Sequence, residues 1–330
     1  MDKIKIVVDT ISTDDNLEKI VEGALKSLEE NNNLFLYLVG PKDEIQNVIT
    51  KNNFKNENYE IIDGKDKISN TDNPLRSIRQ KTESSLYKSF ELLKKEDTNA
   101  LVSAGATGAI LCGAILNLKR LGSCQPALST LLPTQKGDSV CIIDCGANID
   151  CTPMQLLEYA KIGSCYMSSL YPNKDIKVGL LSNGKEDNKG NSLTKQAFQL
   201  IKETDINFIG NIEGTDVLTG ECDVVVCDGF IGNVVLKNTE GTAKTIIKDL
   251  IMMLKKSNDE QEKKYLQKAI NELLMKYDLN SLGGATLLGI DKVIIKGHGT
   301  ANDKTIYHII NDAYTLLKNE VINKLENKLK

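Results

Sequence analysis

Short apolar runs rich in β-branched residues alternate along this chain with longer stretches whose apolar positions recur every three or four residues. Polar, glycine-bearing turns close most of the runs. The first pattern predicts buried strands and the second amphipathic helices. Strands are expected at residues 3–8 (KIKIVV), 34–39 (LFLYLV), 59–62, 100–103, 127–132, 140–144, 176–181, 206–209, 224–227 and 293–296. Helices are expected at residues 17–28, 43–51, 74–95, 153–166, 192–203, 241–254, 260–277 and 305–330, and from the Gly108 turn to about Leu118. Gly232-Asn233 opens a further helical segment, Gly210-Asn211 leads into a short one, and residues 281–289 read as a loop.

Strands alternating with helices imply an α/β fold of three layers, a mostly parallel, Rossmann-like sheet with helices on both faces. Residues 127–132 and 140–144, joined by a short connection, are expected to pair antiparallel. Buried runs end in polar turns at Asp9, Gly105 to Gly108, Gly146 to Asn148, 183–191, Asp228 to Asn233 and Gly297 to Gly299. Open α/β sheets bind ligands beyond the carboxyl ends of their strands. The six turns are therefore expected to line one side of the sheet as a continuous crevice. With no internal repeat and no low-complexity linker, residues 1–330 read as one domain, with 242–280 as a protruding amphipathic helix pair.

Composition narrows the class. The net charge is −4, with 41 Lys+Arg against 45 Asp+Glu, and no basic arm or zinc-finger spacing points to nucleic acid. No apolar run is long enough to span a bilayer, and the chain enters its first strand at once, so a cytoplasmic protein is expected. Most of the eight cysteines (Cys112, Cys141, Cys145, Cys165, Cys222 and Cys227 among them) lie in or beside apolar runs, as small buried hydrophobes of a reducing compartment do. Cys141 and Cys145, on one strand, would point to one face about 13 Å apart, too far for one metal. With two histidines in the chain, no metal site is expected.

The turns carry no G-x-G-x-x-G, no P-loop and no G-x-S-x-G elbow. Anion chemistry remains. Ser103, Gly105, Thr107 and Gly108 place a hydroxyl and free N–H groups at a helix start. Arg76, Arg79 and Lys81 offer positive charge, Lys189 lies in a glycine loop, and His298 sits between two glycines after a strand.

These residues, in this order, resemble the phosphate acyltransferases of bacterial phospholipid synthesis, the PlsX family, along nearly the whole chain. The resemblance is carried by Pro74-Leu-Arg-Ser-Ile-Arg79-Gln-Lys81, Ser103-Ala-Gly-Ala-Thr-Gly-Ala109, Leu132-Pro-Thr134, Asp144-Cys-Gly-Ala-Asn148 and Gly184-Lys-Glu-Asp-Asn-Lys-Gly-Asn191. Asp223 to Gly241, Gly283-Gly-Ala285 and His298-Gly299 complete it. It implies that inorganic phosphate attacks the thioester of a fatty acyl-acyl carrier protein, giving acyl phosphate, with no metal or redox cofactor. It implies an isocitrate/isopropylmalate dehydrogenase-like sheet, a homodimer and, in some members, peripheral membrane contact through the helix pair. Lys189, Asn191, Asn233 and His298 are then the catalytic candidates. Asp9, Arg79, Lys81, Ser103, Gly105, Thr107, Gly108, Asn148, Asp228, Gly229 and Gly299 are the candidates for binding phosphate and substrate. A short-chain acyl-CoA:phosphate acyltransferase, and a degenerate carrier-protein or membrane-binding paralogue, are the alternatives. Two departures stand out: the family's Asp-x-Met-Gly-Gly-Asp is here Asp9-Thr-Ile-Ser-Thr-Asp14, and its Ser-Ala-Gly-Asn-Thr-Gly carries Ala106 for the asparagine.

Overall fold

The chain is seen in a computed structural model that describes residues 3–14, 16–95, 97–277 and 284–329. It runs β1 (Ile4–Asp9), α1 (Leu17–Glu30), β2 (Leu34–Gly40), α2 (Lys42–Lys51), β3 (Tyr59–Asp63), α3 (Pro74–Gln80), α4 (Ser85–Leu93), β4 (Ala100–Ser103) and α5 (Thr107–Asn117). It continues with β5 (Ala127–Pro133), β6 (Ser139–Ile143), α6 (Pro153–Leu170), β7 (Val178–Leu181), α7 (Ser192–Lys202), β8 (Phe208–Ile212) and β9 (Val224–Val226). It closes with α8 (Gly229–Lys256), α9 (Glu260–Tyr277), β10 (Ala285–Leu288), β11 (Val293–Lys296), α10 (Asp303–Lys318) and α11 (Val321–Leu329).

The strands form one sheet in the order β3-β2-β1-β4-β11-β10-β5-β6-β9-β7-β8. Seven of its ten pairings are parallel, and β5 pairs antiparallel with β6 as the short connection foretold. The three antiparallel pairings are consecutive, at β11/β10, β10/β5 and β5/β6. Three reversals in a row leave the outer parallel halves running in opposite senses. This corrects the expectation of six turns on one side. The turns after β1, β4 and β11 leave one half, and those after β6, β7 and β9 leave the other in the opposite direction.

Alternate strand residues fill the two faces. Val8, Val102, Ile143 and Ile295 pack with α1, α2, α6, α7, α10 and α11. Val7, Leu101, Ile142, Val225 and Ile294 pack with α3, α4, α5 and the first turns of α8. Side chains standing in register on the second face include Asp9, Ser103, Lys296 and Ala285, one from each of four neighbouring strands.

Other local expectations give way to tertiary structure. The helix expected over 74–95 breaks where Lys81 turns out of α3, and Ser84 caps α4 by accepting from the Tyr87 N–H. The C-terminal helix breaks at Glu320, whose φ is +54°. Residues 229–256 form one continuous helix, because Gly241 sits mid-helix instead of ending a turn. The strand expected at 206–209 lies at Phe208–Ile212, with Gly210 at φ +93°, and turns replace the short helix after it. β10 occupies part of the expected loop 281–289, whose first residues, 281–283, lie outside the described residues, as do 278–280 of the expected protrusion and the final residue of the expected last helix. β6 ends at Ile143, so Cys141 packs in one layer and Cys145 in the other, not on one face as expected. No helix among the described residues is long and apolar enough to cross a membrane.

Candidate active site

At the carboxyl end of β1, Asp9 is buried, and burial pushes its carboxyl up to about 6. Hydrogen bonds from Ser85, from Ser103 Oγ (2.7 Å) and from the Ile11 N–H (3.2 Å) oppose that rise. Ser103 Oγ also accepts from the Gly105 N–H at 3.0 Å, which shapes the turn into α5. A Cβ on Gly105 would stand 3.1 Å from that oxygen and 3.4 Å from the Asp9 carboxylate. Ala106 is the N-cap of α5 and has no side-chain acceptor to offer. The first bond into the helix runs from Ile110 N–H to the Ala106 carbonyl. The N–H groups of Thr107, Gly108 and Ala109 therefore point out of the helix without a partner among the described residues. Alanine at this cap leaves these donors open. Gly108 serves packing: a Cβ there would meet Pro74 of α3 at 2.8 Å.

The non-glycine turn after Asp9 is held by its own side chains. Ser12 hydrogen-bonds Asn16, the Thr13 N–H donates to the Ala104 carbonyl, and Lys67 donates to the Thr13 carbonyl. None of these residues has a positive φ, so this turn does not call for glycine. Gly299 is needed instead, because a Cβ there would overlap Thr13 Oγ1. The His298 ring is exposed, and its Nδ1 lies 2.8 Å from Thr300 Oγ1 and accepts from the Thr300 N–H. Partial burial, with Lys296 and Lys237 nearby, holds its pKa below the ordinary value. With Nδ1 accepting from the Thr300 N–H, the neutral ring carries its proton on Nε2.

Arg79 and Lys81 part company. Arg79 is exposed on the last turn of α3 and has no ion pair among the described residues. The Lys81 ammonium is committed: it donates to Asp72 at 2.8 Å and to the Lys67 carbonyl at 3.0 Å, pinning the 67–72 loop.

In the opposite half the organising residue is Asp144, which the candidate residues omit. Fully buried just past β6, it accepts from the N–H groups of Leu128, Gly146, Ala147 and Asn148 and from the Asn148 side chain. Burial still raises its pKa. Asn148 is scaffolding: its amide also donates to the Pro126 carbonyl, and its own carbonyl accepts from the Gly229 N–H at 2.8 Å. A Cβ on Gly229 would lie 2.6 Å from that carbonyl oxygen. Asp228 caps α8 by accepting from the Ile231 N–H, and a Cβ on Gly232 would overlap the Asp144 carbonyl. Asn233, exposed one helical turn on, packs beside Gly146.

Across from this turn, Asn183 accepts from the Gly190 N–H, Gly190 stands at φ +103°, and Asn191 caps α7. Asn191, Asp228 and Ile231 share a cavity of about 400 Å³ with Ser182. The Ser182 hydroxyl is buried there with no hydrogen-bond partner among the described residues. Lys189 is exposed on the same loop without an ion pair among the described residues, whereas Lys185 is held by Asp216.

α8 joins the two sets of turns. From Asn233 to Glu240 it rises roughly 10 Å. There Lys237 and Glu240 share a second cavity, of about 120 Å³, with Thr130, Lys296 and His298. The structure thus brings Asp9, Ser103, Gly105 and Thr107 into one cluster, and Asn148, Asp228, Gly229, Asn233, Lys189 and Asn191 into another. His298 faces the helix between them.

Open backbone donors and unpaired cations suit a phosphate. A cysteine nucleophile has no support: burial raises all eight thiols, to about 11 at Cys151 and Cys165 and about 12 at Cys145 and Cys222. Among the described residues no group of three or more His, Cys, Asp or Glu is placed to hold a metal.

The family model described as "Fatty acid synthesis protein" matches residues 4–324. A protein of Clostridium novyi named phosphate acyltransferase is 39% identical over 328 residues, 99% of this chain and 98% of its own. A phosphate acyltransferase of Clostridium acetobutylicum is 37% identical over 326 residues, 98% of each chain. Among solved structures, a phosphotransacetylase from Streptococcus pyogenes superposes with a TM-score of 0.63 at 17% identity, over 97% of this chain and 94% of its own, a likeness of fold.

Proposed function

We infer that this chain, which belongs to the fatty acid synthesis protein family and is an enzyme transferring acyl groups to phosphate, takes a fatty acyl group from acyl carrier protein and makes acyl phosphate for phospholipid synthesis. The observation that carries this reading is the uncapped start of α5, with three open N–H groups above Ser103 and Asp9. Phosphate is charged already, so it needs seating and partial neutralisation more than deprotonation. Of the candidate residues, Arg79 and Lys189 are cations without an ion pair among the described residues, free for that task. An oxygen of hydrogen phosphate attacks the thioester carbonyl carbon, the C–O bond forms, and collapse of the tetrahedral intermediate breaks C–S; the carrier sulfur leaves as thiolate and takes up the proton that the phosphate gives up. Asn233 and the Asn191 amide nitrogen are the donors for the transient oxyanion, and the His298 Nε2–H, about two turns further along α8, is left to the phosphate.

A long chain rather than acetyl is supported by a cavity of about 400 Å³ beside α8, walled by Val217, Leu218, Ile246, Ile247 and Leu273. The helix pair supports a homodimer and peripheral membrane contact in a cytoplasmic protein. Beyond Gly241 only Ile247 and Ile270 of α8 and α9 are buried, and Met252, Met253, Tyr265 and Met275 are exposed. The likeness of the sheet to isocitrate and isopropylmalate dehydrogenases belongs to the same proposal.

The test is to incubate the protein with palmitoyl-carrier protein or acetyl-CoA plus phosphate and trap acyl phosphate with hydroxylamine. Palmitoyl hydroxamate is the expected product. Acetyl hydroxamate alone would replace the reading with the short-chain one, and no hydroxamate from a folded sample would favour a non-catalytic paralogue.

A further inference from the structure

Lys296 ends β11 as a register partner of Ser103, which is itself the partner of Asp9. Partners on neighbouring strands lie about 4.8 Å apart and point to one face. Lys296 therefore enters on the face that carries α5 and the first turns of α8. Its side chain is mostly covered, and its ammonium makes neither a hydrogen bond nor an ion pair with any described residue. A covered cation without a partner is costly, and proteins normally pair it. Around it stand groups that suit an anion: the Thr130 hydroxyl, the Nε2–H of His298, and Lys237, which Glu240 holds at 2.9 Å. The cavity, of about 120 Å³, has room for a small tetrahedral anion.

We propose that Lys296 is the residue that binds the acceptor phosphate, in the cavity it shares with Thr130, Lys237, Glu240 and His298. The assignment rests on phosphate being the acceptor, and it adds to Arg79 and Lys189 a cation that neither the strand pattern nor the glycine turns singled out. Burial and the nearby Lys237 hold its pKa below the ordinary lysine value, while Glu240 and Asp14 pull the other way. Glu240 is already held by Lys237, so a bound phosphate supplies the direct partner that the Lys296 ammonium lacks among the described residues. The ion would lie against α8, between β5 and the end of β11.

The test uses the full chain, Lys296→Met and Lys296→Arg, titrated calorimetrically with inorganic phosphate and melted with and without it. Lys296→Met is expected to weaken phosphate binding at least tenfold and to lose the phosphate-induced rise in Tm. In turnover it should raise the KM for phosphate and leave the KM for the acyl donor within about twofold. Without phosphate it should melt no lower than wild type, since an unpartnered charge is gone. Lys296→Arg should recover part of the binding, and it carries the test alone if the methionine variant does not fold. Wild-type phosphate binding in Lys296→Met, or equal losses for phosphate and donor, would overturn the assignment. Phosphate bound through Lys296 without any acyl phosphate formed would sink the transferase reading and leave this one standing.

Discussion

Ser103 Oγ donates to the Asp9 carboxylate at 2.7 Å, across the ends of two parallel strands, and both residues are buried. Burial makes Asp9 a source of pH dependence, and the contact with Ser103 tempers it. Its carboxyl is pushed up to about 6, above the ordinary 3.8 of the unfolded chain. The folded state therefore binds the proton more tightly, and stability falls as pH rises through that window and stays lowered above it. A shift of this size corresponds to about 3 kcal/mol. Asp9→Asn should resist urea better than wild type at pH 8, with the gain closing near pH 4. Asp312 on α10, also raised to about 6 by burial, keeps its own slope in the variant. A gain equal at every pH would refute the assignment.

Arg79 and Lys81 should separate under mutation. Arg79→Ala removes an uncommitted surface cation, so KM for phosphate should rise about tenfold, the worth of one charge-assisted hydrogen bond, with Tm unchanged. Lys81→Ala frees Asp72 and the Lys67 carbonyl, so it should cost about 1 kcal/mol of stability. Steady-state kinetics beside thermal melts distinguishes them.

Lys189→Ala should lower turnover at least about tenfold without moving Tm, because the side chain is exposed and unpaired among the described residues. Asn191→Ala should lower both, since its side chain caps α7 and such caps contribute about 1 kcal/mol. A near-wild-type rate in Lys189→Ala removes that residue from the site.

Two glycines of α8 predict opposite signs. Gly232→Ala forces a Cβ into the Asp144 carbonyl and should destabilise by about 3 kcal/mol or more. Gly241→Ala meets nothing within 4 Å in the middle of the same helix and should stabilise by about 1 kcal/mol. Urea denaturation of both variants reads the signs directly.

The chain-length reading has its own probe. Val217→Trp fills the cavity beside α8 and should cut the rate with a palmitoyl donor about tenfold while sparing a butyryl donor. Equal loss on both donors would detach the cavity from the acyl chain.

Much of the fold was legible because strands buried on both faces write themselves as apolar runs, as at residues 34–39 and 224–226. The family was legible too, in the ordered glycine motifs, and the comparisons bear it out. Strand direction was not, since it depends on which strand each run pairs with, and the three antiparallel pairings turn half the sheet around. β10 escaped because its four residues follow directly on a glycine pair. Asp144 looked like the end of a strand, and only the structure reveals the five hydrogen bonds it collects. Lys81 read as one of a row of cations, because Asp72, nine residues away, leaves no periodic signal. Lys296 read as the polar end of a strand. Its place two residues before His298 was the available hint.

α8 is a single rod of 28 residues, roughly 42 Å long, seated near one end where Gly229 and Gly232 press on Asn148 and Asp144. Mechanically that is a lever with its fulcrum beside the chemistry and its long arm in the exposed helix pair. Asn233 and Lys237 ride on the same rod, so the two halves of the sheet share one rigid element.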